Sequence, residues 1–221
     1  MVDTFTEMMV NKCSELGCES IPGGVLQIYV WLVNPEDAGS FALVSILIST
    51  ITTGYTSAMI SFDMDVDVRL RKGHPQIYGF ISDDNGLRGR CFALMTLIST
   101  LHNLSRSLGC AMLASTAKKL LLAFFGGEIL LLLLFKLARG DFLVHWRIEG
   151  AAGVFASLVV RVAEKIIADF SGCLMLRHPV LLGGMAFSLS MLWAQIFPFV
   201  ALVFFEDDGN KEAITIFLAC R

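Results

Sequence analysis

Residues 38–62 read AGSFALVSILISTITTGYTSAMISF, twenty-five positions without one charge. As an α-helix at about 1.5 Å per residue this stretch reaches roughly 37 Å, more than the roughly 30 Å of hydrocarbon in a bilayer. It stops abruptly at Asp63-Met64-Asp65-Val66-Asp67, with Arg69, Arg71 and Lys72 just beyond. A switch from no charge to dense charge marks a chain leaving lipid for water.

The rest of the chain repeats the pattern. Apolar stretches recur near residues 91–117, 120–137, 150–170 and 180–205. The expected fold is therefore all-α, a polytopic transmembrane helical bundle of about five full spans. Residues 1–37 form a separate N-terminal segment in this reading. Phe5, Met8, Met9 and Cys13 recur at helical spacing there, and Pro22-Gly23-Gly24 is expected to break the helix. Val25–Val33 then has only nine residues, too few to cross alone, and suits a half-helix or re-entrant piece. Residues 38–205 make the bundle, with Pro198 a kink in the last span. Residues 206–221 are a tail whose apolar end, EAITIFLACR, is too short for a span and suits a truncated end or a segment packed on the bundle.

Composition agrees. Of the 221 residues 55% are hydrophobic and 17% charged, against about 25% charged in soluble domains. The net charge of −3 gives no basic field for nucleic acid. Six cysteines are scattered without metal-like or disulfide spacing. The first residues, MVDTFTEMMVNKC, carry acids early and do not read as a signal peptide. Basic residues of the loops divide nine (Arg69, Arg71, Lys72, Arg88, Arg90, Lys136, Arg139, Arg147, Lys211) against four (Lys118, Lys119 and Arg177, plus Lys12 if the short N-terminal segment does not cross). The first side is then cytosolic, in a plasma membrane or an endomembrane. Arg69–Pro75 (RLRKGHP) and Leu174–Pro179 (LMLRHP) form a weak internal echo of the kind that inverted repeats leave.

Ionisable residues inside a span cost about 2.5–3.5 kcal/mol each on insertion scales and point to function or pairing. His102 and Arg106 are four apart on one helix face. Glu128 sits halfway along its span beside Gly126 and Gly127, which admit a close helix neighbour. Arg161 and Glu164 share a face of the fourth span. One reading makes His102, Arg106, Glu128, Arg161 and Glu164 a polar intramembrane track for an ion, a proton or a lipid headgroup. The other has them pair and hold the helices in register. Lys165 and Asp169 are expected near the interface, where a lysine can snorkel.

The acidic cluster Asp63, Asp65 and Asp67 begins like a calcium-binding EF-hand loop. That pattern then fails, because Val68 stands where Gly is needed and His74 where Glu is needed. A looser surface contact with calcium is left open, but the cluster reads first as a solvated helix end. No phosphate-binding loop, hydrolase elbow or zinc-protease motif is present, and His74, His102, His145 and His178 have no metal-cluster spacing. The expectation is no enzyme, no metal and no cofactor.

Glu19, Pro22, Gln27 and Tyr29, in the run ESIPGGVLQIY, resemble the E-x-x-P-Q-x-x-L-Q-x-Y segment of the XK family of multi-pass membrane proteins, with Gly23 where that family usually has Gln. A Ser-rich span with Tyr55, then Arg69 and Arg71 at its end, and Leu104-Ser105-Arg106 in the next span extend the likeness over roughly residues 15–135. The family has further helices upstream of this segment. The chain is also similar to uncharacterised protist multi-pass proteins that share its S-F-D-x-D and R-H-P signatures. The resemblance implies lipid work such as phospholipid scrambling. Its implied partners are membrane lipids, other membrane subunits or a lipid-transfer protein. Set against it are a structural subunit or anchor, and an ion or solute transporter, both built on the same buried charges.

Overall fold

The computed structural model describes residues 4–75, 78–116, 118–139 and 151–171, with 188, 189, 192, 193, 196 and 197. The predicted span near 180–205 lies mostly outside the described residues. The 206–221 tail and the echo at Leu174–Pro179 lie wholly outside them.

All described elements are helical. α1 (Thr4–Glu15) runs through a π turn (Leu16–Ser20) into α2 (Ile21–Val33). The expected break at Pro22-Gly23-Gly24 does not occur. Pro22 lacks an N–H and its ring crowds the carbonyl four residues back, which a regular α-turn cannot absorb. Here Pro22 sits in the first turn of α2, and the wider π turn just before it takes up the misfit. The short N-terminal piece is therefore part of one long rod rather than a half-helix.

Asn34 ends α2, its N–H donating to the Val30 carbonyl at 3.0 Å. α3 (Pro35–Val66) turns back with Pro35 at its start and a kink at Gly39, whose φ of 57° favours glycine. α4 (Val68–Gly73) is a short turn. α5 (Asn85–Thr116), α6 (Lys118–Arg139) and α7 (Ala151–Phe170) complete the set. Their ranges agree with the apolar stretches at 91–117, 120–137 and 150–170.

Three of the described helices are long and apolar enough to cross a membrane: Glu7–Val33, Gly39–Val66 and Lys119–Arg139. The first and the third were not both expected, since only the third was read as a span. Lys12 makes an ion pair with Asp63 at 3.3 Å, so α1 begins at the end where α3 stops. Lys12 thus lies at the Asp63 end of α3, with Arg69, Arg71 and Lys72.

The bundle is arranged with polar groups inside and apolar groups outside. The buried side of α3 carries Thr50, Thr53, Ser57, Ser61 and Asp65. Its outer side carries Phe41 (85% exposed), Leu47, Ile48 and Ile51. Leu122 on α6 (74%) and Phe155 on α7 (67%) point outward in the same way. A soluble protein hides such residues; a lipid surround accepts them. α3 and α5 touch backbone to backbone, because a Cβ at Gly54 would lie 2.6 Å from the Thr100 Cα. Small residues at a crossing permit this approach. α2 closes on the same pair through Ile28, Ile46 and Ala111. Leu16, Ile60, Cys110, Leu113, Phe124 and Phe170 form the main apolar cluster.

Candidate functional site: a charge quartet between three helices

α6 buries one stripe at four-residue spacing: Phe124, Glu128, Leu132 and Lys136. α7 does the same with Ser157, Lys165 and Asp169, with Arg161 half-buried on that line. α5 contributes Ser99, Asn103, Arg106 and Cys110. Positions i and i+4 share a helix face, so each helix brings a narrow polar seam to the centre.

Where the seams meet, Arg106 Nη2 lies 2.5 Å from Glu128 Oε2 and 3.6 Å from Asp169 Oδ2. Lys165 Nζ lies 2.5 Å from the same Asp169 oxygen. The four residues are 7%, 2%, 4% and 4% exposed for Arg106, Glu128, Lys165 and Asp169. Two cations meet two anions, so the quartet carries no net charge. The Arg106 guanidinium also lies over the rings of Phe124, 4.6 Å from its centroid, and Phe170, at 5.6 Å. These contacts suit a weakly hydrated, planar cation. Asn103 accepts from the Ser107 hydroxyl one turn along, at 3.3 Å.

The quartet is deep. Glu128 is nine residues from Lys119, about 13 Å along α6 and near the middle of a helix long enough to cross a membrane. The C-terminal turn of α7 ends at this depth as well. Ser171 is hydrogen-bonded to Ser57, and Ser57 is about 13 Å of helix short of Val66. The last carbonyls of a helix have no partners within it. His102 supplies one: its Nε2 is 2.7 Å from the Asp169 carbonyl oxygen. A carbonyl can only accept, so Nε2 carries the proton.

Of the five residues expected to form a track, the structure brings together His102, Arg106 and Glu128. Arg161 lies one helical turn before Lys165. Glu164 lies on α7, with its side chain outside the described residues. Lys165 and Asp169 contradict expectation: they are core residues, not interfacial ones. The reason is that α7 ends inside the bundle, so nearness to the end of an apolar stretch is not nearness to water. The signal was available in the four-residue repeat Ser157, Arg161, Lys165, Asp169. The serines that join the column, Ser57, Ser99 and Ser171, carried no signal in sequence.

The other proposed groups are dispersed. Asp63 holds Lys12. Asp65 is 2% exposed and accepts from the backbone N–H groups of Gly79 (3.1 Å), Phe80 (3.4 Å) and Ile81 (2.9 Å). Asp67 caps α4, accepting from the N–H groups of Arg69 (2.8 Å) and Leu70 (3.0 Å). Arg71 straps the following loop: it donates to the carbonyls of Asp65 (2.6 Å) and Ile81 (2.9 Å) and to Asp83 (3.1 Å). Arg88 pairs with Asp83 as well. The three aspartates thus do three different jobs at a helix end, and no group of His, Cys, Asp and Glu among the described residues could hold a metal ion. A shallow hollow of about 340 Å³ beside them is lined by Met59, Phe62, Asp63, Arg88, Gly89 and Phe92. Its two charges are already spent on Lys12 and Asp83.

The family-like residues do not reach the quartet. Glu19, Pro22 and Gln27 are exposed on the outer side of the long N-terminal rod, and Tyr29 packs half-buried against the α2–α3–α5 contact. No family model, curated protein or solved structure matches the chain.

Proposed function

We propose that this is an integral membrane protein of about five spans that acts as a membrane-embedded structural subunit, with the quartet as its lock. The observation that supports this is the pairing of Arg106 with Glu128 and Asp169 across three helices. In hydrocarbon an unpaired charge is costly, so each helix is held by the charge it brings to the others. The buried pair is self-neutralising and sealed, which suits a fastener better than a passage.

The test removes the charges singly and together. Arg106→Met or Glu128→Met alone leaves an uncompensated buried charge and costs about 3–5 kcal/mol. The double variant leaves the neutral Lys165–Asp169 pair and recovers most of that loss. Thermal unfolding in detergent reads both. A double variant no better than the worse single one would refute the lock. The plain exchange Arg106→Glu with Glu128→Arg is a poor rescue, because the new carboxylate would face Asp169 from the Arg106 position.

A second reading is lipid handling, as the XK resemblance implies. The inner column from Thr50 to Asp65 favours it, since its polar groups extend over about 22 Å of helix. A headgroup track also needs an opening toward lipid. Purified protein in liposomes would then speed the loss of fluorescent lipid from the outer leaflet, and Glu128→Gln would slow it. Activity of that kind would displace the structural reading.

A further inference from the structure

The quartet is not complete in hydrogen bonds. Arg106 uses Nη2 for both carboxylates. Its Nε and Nη1 have no hydrogen-bond partner, and neither do Glu128 Oε1 and Asp169 Oδ1. All four atoms are sealed from solvent in side chains that are 7% exposed or less. A guanidinium carries one hydrogen on Nε and two on Nη1, so three donors and two carboxylate acceptors lack partners on side chains that touch one another.

A half-satisfied buried network is worse than an apolar core, and an orphaned polar atom in a native interior calls for a guest. The chemistry of the orphans selects it. They include both donors and acceptors, so the guest must accept from N–H and donate to carboxylate. A fully deprotonated anion accepts only, and a bare cation does neither. The charge is already balanced, two against two, so a charged guest would leave the site with a net charge in a low-dielectric interior. A small neutral molecule that hydrogen-bonds both ways fits, and buried water in proteins typically makes about three such bonds.

We propose that the quartet is a hydrated site, closing around about two water molecules that bridge Arg106 Nε and Nη1 to Glu128 Oε1 and Asp169 Oδ1. The waters complete the lock. The inference rests on the membrane reading for its depth, but the hydrogen-bond deficit stands in any surround.

The test uses the intact protein in lipid nanodiscs, with arginine side chains labelled with ¹⁵N. Arg106→Lys identifies the Arg106 Nε–H resonance by its loss, and every measurement is then made on the wild-type chain. The expected result is magnetisation passing from water to Arg106 Nε–H, together with slow exchange of that proton with bulk solvent. A crystal structure grown from lipid that shows ordered solvent gives the second measurement. Discrete peaks within hydrogen-bond distance of both an Arg106 nitrogen and a Glu128 or Asp169 oxygen support the site. No transfer from water overturns the proposal. So does a crystal structure with a protein side chain or a larger molecule on those atoms, or with the orphaned atoms paired directly to one another. A chain that stays monodisperse in plain buffer without detergent defeats the membrane reading alone and leaves the hydration result to be judged separately.

Discussion

The quartet in the middle of the bundle and the aspartate-rich end at Asp63–Asp84 use the same chemical groups in opposite surroundings. In the middle, Arg106 of α5 meets Glu128 of α6 and Asp169 of α7, and Asp169 also holds Lys165 one turn back on its own helix. At the end, most carboxylates are satisfied locally. Asp67 and Asp84 bind the N–H groups of the turns they begin, and Asp83 binds two arginines from the open side. Losing a central charge strands a partner in low dielectric. Losing a peripheral one lets water take its place. The two regions should therefore respond to mutation on different scales, and the order of those responses is the way to test the difference.

The largest effect belongs to Arg106→Met. It strands Glu128 and half-strands Asp169, and about 3–5 kcal/mol is expected, read as a fall in the detergent unfolding midpoint. If it falls no further than a variant at the Asp63–Asp84 end, the middle is wetter than its burial implies. Gly54→Val comes next. Its Cβ would meet the Thr100 backbone, which cannot swing aside as a flexible side chain can. Overpacking of this sort costs about 1–3 kcal/mol, occasionally more. The expected signature is a looser α3–α5 contact, seen as faster amide exchange across both helices. Normal exchange in a Gly54→Val protein would show that the two backbones are not in contact.

Asp65→Asn tests the border between the regions, because Asp65 is as buried as Glu128 yet is held by backbone N–H groups. The amide keeps one acceptor and turns the other into a donor facing donors. About 1–3 kcal/mol is expected, with amide protection lost at Gly79, Phe80 and Ile81 and retained at the quartet. Loss of protection at both places would mean that the end and the middle unfold as one unit.

The sequence made the broad architecture legible because hydropathy and charge are local. The apolar run at 38–62 and the charged stop at Asp63 needed no knowledge of neighbours, and neither did Glu128 in mid-span. What stayed hidden depended on where helices sit beside one another. Pro22 reads as a breaker until a π turn absorbs it. Lys165 and Asp169 read as interfacial until α7 is seen to end beside Ser57 and His102. Asp63, Asp65 and Asp67 look like one cluster in a row, yet helical geometry sends each to a different partner: a lysine of α1, a loop backbone and the start of α4. Serines such as Ser99 are silent in sequence, because a hydroxyl on an apolar helix is as often satisfied by its own backbone, as Thr50 is by Ile46.

Acid should give the smallest effect, and it should act at the exposed end. The Leu70 N–H, with the Arg69 N–H and charge, holds the Asp67 carboxyl below the usual carboxylate range. A hydrogen bond from Arg71, then the charges of Arg71 and Arg88, do the same for Asp83. A folded-state value below the unfolded one means that the unfolded chain takes up the proton first. The stabilisation is therefore complete above the ordinary aspartate value of about 3.9 and is lost as pH falls through the lower folded values. The two sites separate under salt. Asp83 is 78% exposed and leans on arginine charge, so added salt should erase most of its contribution. Asp67 leans first on two short local bonds, so salt should leave it nearly intact. Amide exchange at Arg69 and Leu70, followed from neutral to acid pH at low and high salt, should show protection that acid removes and salt does not. Protection at these two amides that salt alone removes would mean that the α4 cap is held by the Arg69 charge and not by its backbone.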